Sequence, residues 1–267
     1  MNILAFFAHP DDETMMCGAT LAMAAEHADV YLLCATRGEG GENGEPPLCE
    51  RVELGAFRSA ELQCASQALG ARELVFLEYV DPTIGPQDTL YPFTENEDHL
   101  AQEVVEAIQR VRADVLISHG TNGEYGHPAH KLCHRAALQA IQRLGPQAPL
   151  FYTPHAIFPQ HPYPRLANQD DPAHLIADLE AFRASKTAAA LCHRTQHALF
   201  IRRPSQTLGR EVTVPEVIQT LESFHRAYPP LAPGQALEDA FASLLRAHGA
   251  ARENPNWHLP GNVPARD

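Results

Sequence analysis

The sequence feature that most constrains the fold is a short apolar run, residues 3–8, that ends in His9-Pro10-Asp11-Asp12-Glu13. A run of this length is too short to span a membrane and fits a fully buried strand. The pattern over residues 14–27 predicts a helix, and Pro10 fits the turn before it. A histidine and successive carboxylates between a buried strand and a helix lie at the sheet edge where α/β proteins bind ligands.

Strands and helices alternate through the first half of the chain. The sequence predicts strands near residues 2–8, 30–35, 74–79 and 114–118, and helices near 14–27, 48–69, 95–111 and 128–144. This alternation is typical of βαβ units with right-handed crossovers. The predicted fold class is therefore α/β, with a Rossmann-like, doubly wound and mostly parallel sheet.

The predicted topology brings two distant polar loops together. In the commonest doubly wound order, the first and fourth strands are neighbours at the switch point of the sheet. The loop after the first strand carries His9, Asp11 and Asp12, and the loop after the fourth carries residues 125–130. We therefore expect the two clusters to face each other across one crevice.

The pattern is weaker after residue 145. We expect a strand near 151–158 interrupted by Pro154, a loop over 159–172 near the site mouth, a helix over 173–192, an edge strand at 198–201 and a helix over 215–226. The Pro-rich segment of about 227–267 is predicted to be a surface extension. The chain length fits one domain over residues 1–267, with this segment as its C-terminal extension.

The charge balance disfavours some classes of partner. Lys and Arg number 20 against 33 Asp and Glu, a formal net charge of −13, so we expect binding neither to nucleic acid nor to an anionic membrane. We identify no basic, apolar leader, so a cytoplasmic protein is the default expectation. The six cysteines include no C-x-x-C pair, and we expect them to be reduced. The oligomeric state is open, with a homo-oligomer as one alternative.

His9, Asp12 and His130 have the residue types and placement of a metal site. Catalytic zinc typically takes three protein ligands from His, Asp, Glu or Cys and keeps a fourth position open. His9 and Asp12 are three residues apart on a turn, so both can face one point, and His130 can complete the set from across the crevice. Asp11 would then be free to accept a proton from the attacking water, and His127 to stabilise the oxyanion or protonate the leaving amine.

Each of these residues also has a structural alternative. Asp11 and Asp12 fit capping carboxylates favoured by the helix dipole. An isolated H-x-x-H pair such as His127 and His130, in a chain with 15 histidines, is more often a pair of surface residues. His134 lies one turn after His130 and competes with His127 for a place in the site. The meeting of both clusters at one switch point favours the metal site.

Residues 8–13 (AHPDDE) and 126–130 (GHPAH) resemble the signature of the LmbE/PIG-L family of zinc-dependent deacetylases. Further similarities are Thr36-x-Gly38-Glu39, Arg58-x-x-Glu61, Asp81, Lys186, His193 and Gln196. The resemblance implies a Rossmann-like fold and removal of an N-acetyl group from an N-acetylglucosamine conjugate, as in mycothiol and bacillithiol synthesis. A small amino-sugar conjugate is the implied partner.

The resemblance also implies roles for individual residues, by matching positions. The implied zinc ligands are His9, Asp12 and His130, the general base is Asp11, and the electrophile or general acid is His127 rather than His134. The implied substrate-binding residues are Arg58, Glu39, Asp81 and Tyr125. Zn²⁺ is the implied cofactor, with Fe²⁺ as an alternative for the same ligands.

One position departs from the family pattern, which commonly has Asp where this chain has Ala129. A carboxylate there would orient a neighbouring histidine, so its absence leaves open how His127 is held. Two other functions also stay open: amidase action on a thiol conjugate, and a non-catalytic sugar- or nucleotide-binding module. A dinucleotide is disfavoured because the first turn lacks G-x-G-x-x-G and its carboxylates would repel a pyrophosphate.

Overall fold

Five neighbouring parallel strands form one side of an eight-stranded sheet. The computed structural model describes residues 1–254 and 257–258. The strands are β1 (Asn2–Phe7), β2 (Asp29–Thr36), β3 (Glu73–Tyr79), β4 (Val115–Ser118) and β5 (Leu150–Pro154). Their order is β3-β2-β1-β4-β5, so β1 and β4 are parallel neighbours, with Ile3 opposite Val115. The predicted α/β class and the switch point between β1 and β4 are confirmed.

Helices cover both faces of this part of the sheet. They are α1 (Asp12–Ala25), α2 (Leu54–Ala68), α3 (Glu97–Val111), the single turn α4 (Gly123–Gly126) and α5 (Pro128–Leu144). Successive side chains of a strand point to opposite faces. Ile3 and Phe7 accordingly pack in the core with α1 and α2, whereas Leu4 and Phe6 pack in the core with α3 and α5. β1 is therefore buried between two layers of helices, as its apolar run predicts.

The second half of the chain adds antiparallel strands to the same sheet. β6 (Ala156–Ile157) and β7 (Asn168–Pro172) form a small separate sheet, whereas β8 (Leu175–Asp178), β9 (Leu221–Tyr228) and β10 (Ala251–Glu253) extend the main one in the order β5-β9-β8-β10. The helices here are α6 (Arg183–Cys192), α7 (His197–Leu208), the short α8 (Val214–Val217) and α9 (Ala240–His248). Within residues 1–254 and 257–258, no helix is long and apolar enough to cross a membrane.

Several sequence predictions for the second half are wrong. The segment 173–192 begins with β8 rather than a helix, and residues 198–201 belong to α7 rather than to an edge strand. The predicted helix over 215–226 is reduced to the single turn α8, and the second half of that segment lies in β9. Short apolar runs fit a strand or a buried helix equally well, so periodicity alone does not separate them. In α7 the run at 198–201 includes the partly buried Phe200 and Ile201, which pack against Ala190, Val214 and Ile218.

Two segments predicted to be irregular also contain regular structure. The predicted loop over 159–172 contains β7, and the predicted C-terminal extension contains α9 and β10. β10 pairs with β8, so the chain contributes to the main sheet as far as Glu253. The part of the predicted extension at residues 255–256 and 259–267 lies outside the described residues.

One pair of cysteines is oxidised, contrary to the expectation that all six are reduced. A disulfide bond joins Cys64 in α2 to Cys192 at the end of α6, across a sequence separation of 128 residues. Cys17, Cys34 and Cys133 are free and buried, as expected of core thiols. The disulfide therefore fixes two helices on the same face of the sheet to each other.

Candidate functional site

The two polar loops meet at the carboxyl ends of β1 and β4, where the topology places a ligand site. His9 Nδ1 lies 3.3 Å from His130 Nε2 and 3.4 Å from the Asp12 carboxylate. His130 Nε2 lies 3.4 Å from the other oxygen of Asp12. Three possible ligand groups thus surround one point, and all three side chains are buried.

These separations fit a metal ion. A tetrahedral zinc with bonds of about 2.0–2.1 Å places its ligand atoms roughly 3.3–3.4 Å apart. Ligand atoms of His9, His127 and His130, and of Asp12, His119 and His130, form two groups in which all atoms lie within 4.8 Å of one another. The site therefore offers more donor atoms than one ion needs. The other hydrogen bonds of each side chain decide which donors are free.

Two carboxylates hold the outer nitrogens of the histidines. His9 Nε2 lies 3.2 Å from Asp81, and His130 Nδ1 lies 2.7 Å from Glu124. Each carboxylate orients an imidazole ring so that the other nitrogen of the ring faces the point between His9, Asp12 and His130, called the centre below. Metal-binding histidines are usually held by a carboxylate in this way. The Asp81 carboxylate, implied by the resemblance to contact substrate, also accepts the backbone N–H of Gly40. Its contact with substrate stays a prediction.

His119 and Glu124 are site residues that the sequence analysis missed. His119 directly follows β4 and is fully buried, with Nδ1 3.1 Å from Glu124. Its Nε2 accepts a hydrogen bond from the backbone N–H of Ala8 at 3.0 Å. That bond occupies the lone pair of the nitrogen, so His119 is less available to a metal ion than His9 or His130. Its position at the carboxyl end of a predicted strand is the one sequence signal that points to it.

The centre is built to hold positive charge. Burial lowers the pKa of the His9 imidazole, but Asp81 and Asp12 outweigh burial and raise that pKa to about 10. Burial also opposes ionisation of Asp12, yet His130 and His119 hold its pKa well below the usual range. A cation at the centre would replace the proton of His9 and satisfy the same carboxylates.

Asp11 precedes α1 in a strained backbone conformation. Its φ of 115° and ψ of −28° are left-handed values, which cost a non-glycine residue about 1–3 kcal/mol. Glu13 accepts the backbone N–H of Asp11 at 3.0 Å, and His193 Nε2 lies 3.1 Å from the other oxygen of Glu13. Burial raises the pKa of Asp11 to about 7 despite the nearby Arg58. Such a carboxylate is suited to accept and return a proton near neutral pH.

The ring of His127 caps the N-terminus of α5. Its Nδ1 accepts the backbone N–H of Ala129 at 3.2 Å, so the hydrogen of the neutral ring lies on Nε2. Burial, His130 and His9 lower the pKa of His127 to about 3, which keeps the ring neutral. The backbone at Ala129 thus holds His127 without the family's carboxylate. His134 faces elsewhere, because its ring nitrogens contact a backbone carbonyl and a threonine hydroxyl.

The remaining predicted substrate residues occupy two kinds of position. Arg58 is only 3% exposed and donates to the backbone carbonyls of Gly38 and Pro10, so it holds two loops together. Glu39 accepts two backbone N–H groups of the surrounding loops. Tyr125 is 55% exposed, and its ring centroid lies 5.7 Å from that of His127. The aromatic ring of Tyr125 is therefore exposed to solvent beside the centre.

A break in α1, just behind the centre, is held by a buried ion pair. Cys17 has non-helical φ and ψ of −148° and 25°, so α1 consists of two helical segments. Glu222 in β9 accepts two backbone N–H groups at the start of the second segment, at 3.0 and 2.9 Å. Lys186 in α6 lies 2.7 Å from Glu222 and donates to the carbonyl of Met15 in the first segment. Side chains from α6 and β9 thus fix the segment that begins at Asp12.

The fold and the site define an α/β protein with a histidine–carboxylate centre at the switch point of its sheet. Residues 4–141 match the PIG-L family, described as GlcNAc-PI de-N-acetylase. The match covers just over half of the 267 residues. The chain belongs to this family.

Two curated relatives and one solved structure show how far the similarity extends. A 1D-myo-inositol 2-acetamido-2-deoxy-alpha-D-glucopyranoside deacetylase from Streptomyces griseus is 29% identical over 287 residues, covering 91% of this chain and 89% of that protein. The deacetylase of the same name from Thermobispora bispora is 37% identical over 155 residues, covering 53% of this chain and 51% of that protein. The 4-carboxy-2-hydroxymuconate hydratase of Pseudomonas putida KT2440 has a TM-score of 0.57 and 21% identity, covering 88% of this chain and 99% of that one. The last similarity concerns the fold alone.

Proposed function

We propose that this protein is a metal-dependent hydrolase that removes the N-acetyl group from an N-acetylglucosamine-type conjugate. The observation that carries the proposal is the convergence of His9, Asp12 and His130. His9 Nδ1 lies 3.3 Å from His130 Nε2, and each of these nitrogens lies 3.4 Å from a different oxygen of Asp12. Membership of the PIG-L family supports it. So do the two relatives, which are named as deacetylases of a 2-acetamido-2-deoxyglucopyranoside.

His9, Asp12 and His130 would hold the metal ion. Their two nitrogens and one carboxylate are a ligand set of catalytic zinc, and Fe²⁺ is the alternative. When bound, the ion would lower the pKa of a water molecule and polarise the acyl oxygen of the substrate. Asp81 and Glu124 would keep the two imidazole rings directed at the ion.

Asp11 and His127 would carry the proton transfer and the charge stabilisation. The Asp11 carboxylate would accept a proton from water as the water oxygen bonds to the acyl carbon, and return it to the nitrogen as the amide bond breaks. The Nε2–H of His127 would donate to the developing oxyanion. The pKa of about 3 favours this role over that of general acid, because the ring has no second proton to give at neutral pH.

The predicted substrate residues would act at different distances from the sugar. The exposed ring of Tyr125 is positioned to cover a face of the substrate beside His127. Arg58, Glu39 and Asp81 already contact protein groups. They would therefore hold the loops and the His9 ring of the substrate pocket in place as well as contact the sugar.

The test is a panel of N-acetylglucosaminides with different aglycones, incubated with zinc-loaded protein and assayed for free amine and acetate. We expect equal amounts of the two products, and loss of activity on removal of zinc by a chelator. His130→Ala should lose bound zinc by elemental analysis, whereas the surface variant Asp98→Asn should keep it. No acetate from any member of the panel, or wild-type protein that binds no metal, would contradict the proposal.

Two other functions are distinguished when the panel also includes a thiol conjugate of the amino-sugar. A thiol-conjugate amidase would release a mercapturate-like product rather than acetate from a suitable conjugate. A binding module would bind sugars without turnover. The similarity to a hydratase is a reminder that one fold supports several reactions, so the products, and not the fold, decide among these functions.

A further inference from the structure

Glu124 connects two imidazole rings from a strained position in α4. Its φ of 58° and ψ of −87° are non-helical, left-handed values. Oε2 lies 2.7 Å from His130 Nδ1 and 3.1 Å from His119 Nδ1. Oε1 accepts the backbone N–H of Gly120 at 3.1 Å. The orientation of both rings therefore depends on how this one buried carboxylate is held.

Asn168, the first residue of β7, holds Glu124 from the other half of the chain. Its Oδ1 accepts the backbone N–H of Glu124 at 3.0 Å, and its Nδ2 donates to Glu124 Oε1 at 3.1 Å. The same Nδ2 donates to the carbonyl of Pro154 at 3.0 Å. Asn168 is fully buried. A side-chain amide supplies this combination of acceptor and donors, and neither a carboxylate nor an aliphatic group of similar size does.

Gly120 leaves the space that the Asn168 side chain fills. A Cβ atom at Gly120 would lie 2.1 Å from Cγ and Nδ2 of Asn168. The loop after β4 and the start of β7 are therefore fitted to each other at the point where Glu124 is held. The family match ends at residue 141, so Asn168 lies outside it.

We propose that Asn168 is a positioning residue of the metal site, which fixes Glu124 and, through it, the ring of His130. The inference depends on the proposed function, because it takes His130 as a metal ligand. Without the amide of Asn168, both the backbone N–H and one carboxylate oxygen of Glu124 lose a partner. Glu124 then leaves its left-handed conformation, and the His130 ring loses the group that directs Nε2 at the centre.

The test is the dissociation constant of Zn²⁺, measured by competition with a chromophoric chelator. Asn168→Asp keeps the size of the side chain but places a second carboxylate against Glu124. We expect it to weaken zinc binding by about 10–100-fold, the usual effect of losing a group that orients a ligand. Asn168→Ala should weaken it as well. At saturating zinc, we expect kcat to fall while KM stays near the wild-type value.

Asn122→Ala is the matched control. Asn122 makes the same two-way contact with β7, to the carboxylate and the backbone N–H of Asp170 at 2.7 and 2.8 Å, but at the surface of the loop. This variant should keep the zinc affinity and kcat of the wild type. Equal losses in Asn122→Ala and Asn168→Ala would mean that the general attachment of β7 matters, and would overturn the specific role of Asn168.

Asn168→Ala keeps the test decisive if Asn168→Asp does not fold, because it removes the amide without placing a charge beside Glu124. Its zinc affinity, compared with that of Asn122→Ala, then decides the question. Wild-type zinc affinity in a folded Asn168 variant would overturn the inference. Wild-type protein that binds neither Zn²⁺ nor Fe²⁺ would instead overturn the proposed function.

Discussion

The two halves of the chain contribute to the site in different ways. The side chains that face the centre come from residues 9–130, on loops that follow strands of the parallel part of the sheet and on the first turns of the helices after those loops. The second half supplies buried polar side chains that hold those loops, such as Asn168 against Glu124 and His193 against Glu13. The reacting groups and the groups that fix their geometry therefore come from separate stretches of sequence. Substitutions in the first half should remove reacting or metal-binding groups. Substitutions in the second half should lower the stability of the fold or disturb the orientation of those groups.

The largest expected effect is in the first half, at Asp11. Asp11→Asn removes the proton acceptor but keeps the size of the side chain, so kcat should fall by about 10²–10⁴-fold. Bound zinc should stay at the wild-type level, because Asp11 is not one of the three proposed ligands. The surface variant Asp98→Asn should leave both quantities unchanged. A wild-type kcat in Asp11→Asn would reject Asp11 as the base.

The pH profile of the wild type sharpens the same assignment. Asp11 accepts a proton only when it is ionised, and burial raises its pKa to about 7. The value of kcat/KM should therefore be constant above this pKa and fall about tenfold per pH unit below it. A bound cation lowers the pKa, so the midpoint should lie at or below about 7. If Asp11→Asn keeps the same acidic limb, the limb belongs to another group.

The next effect is on stability, from the second half. Lys186→Met leaves the buried carboxylate of Glu222 without its cation, so the free energy of unfolding should fall by about 3–5 kcal/mol. Lys186→Met combined with Glu222→Gln removes the charge but keeps an acceptor for the α1 backbone, and should recover much of the loss. Urea denaturation measures both. A single variant as stable as the double would show that the ion pair does not stabilise the break in α1.

Removing the disulfide should have a somewhat smaller effect. Cys64→Ser opens a long covalent loop, and such changes usually lower the free energy of unfolding by about 2–4 kcal/mol. Cys49→Ser, at a free cysteine that is not buried, is the control and should be neutral. The measurement is thermal or urea unfolding with and without a reductant. Equal stability of Cys64→Ser and the wild type under oxidising conditions would contradict the prediction.

The smallest effect tests alignment without loss of a reacting group. His193→Gln disturbs the contact with Glu13 that fixes the backbone N–H of Asp11, so kcat should fall by about tenfold, or about 1.4 kcal/mol. Zinc affinity should not change, since His193 does not touch the proposed ligands. His197→Gln, on the partly exposed first turn of α7, is the control. A loss of zinc from His193→Gln would show that His193 also holds a proposed metal ligand and would contradict this prediction.

The sequence predicts the first half well because its signals are local. The apolar run before His9, the charged turn and the alternation of strands and helices each follow from neighbouring residues, and together they locate the crevice. Glu124 and Asn168 carry no such signal. Their roles depend on a left-handed backbone and on a contact between residues 44 positions apart. The predictions at β8 and β9 are wrong for a related reason. Their apolar residues are equally compatible with a helix, and pairing with distant strands decides in favour of the sheet.

The disulfide determines what a single proteolytic cut would do to the molecule. Cys64 and Cys192 close a covalent ring that includes His130 but not His9. The loop around Ile84, whose side chain is 52% exposed, lies inside that ring and is open to proteases. One cut there opens the ring without releasing a fragment, so the nicked protein stays a single species on a gel until a thiol reductant separates its two pieces.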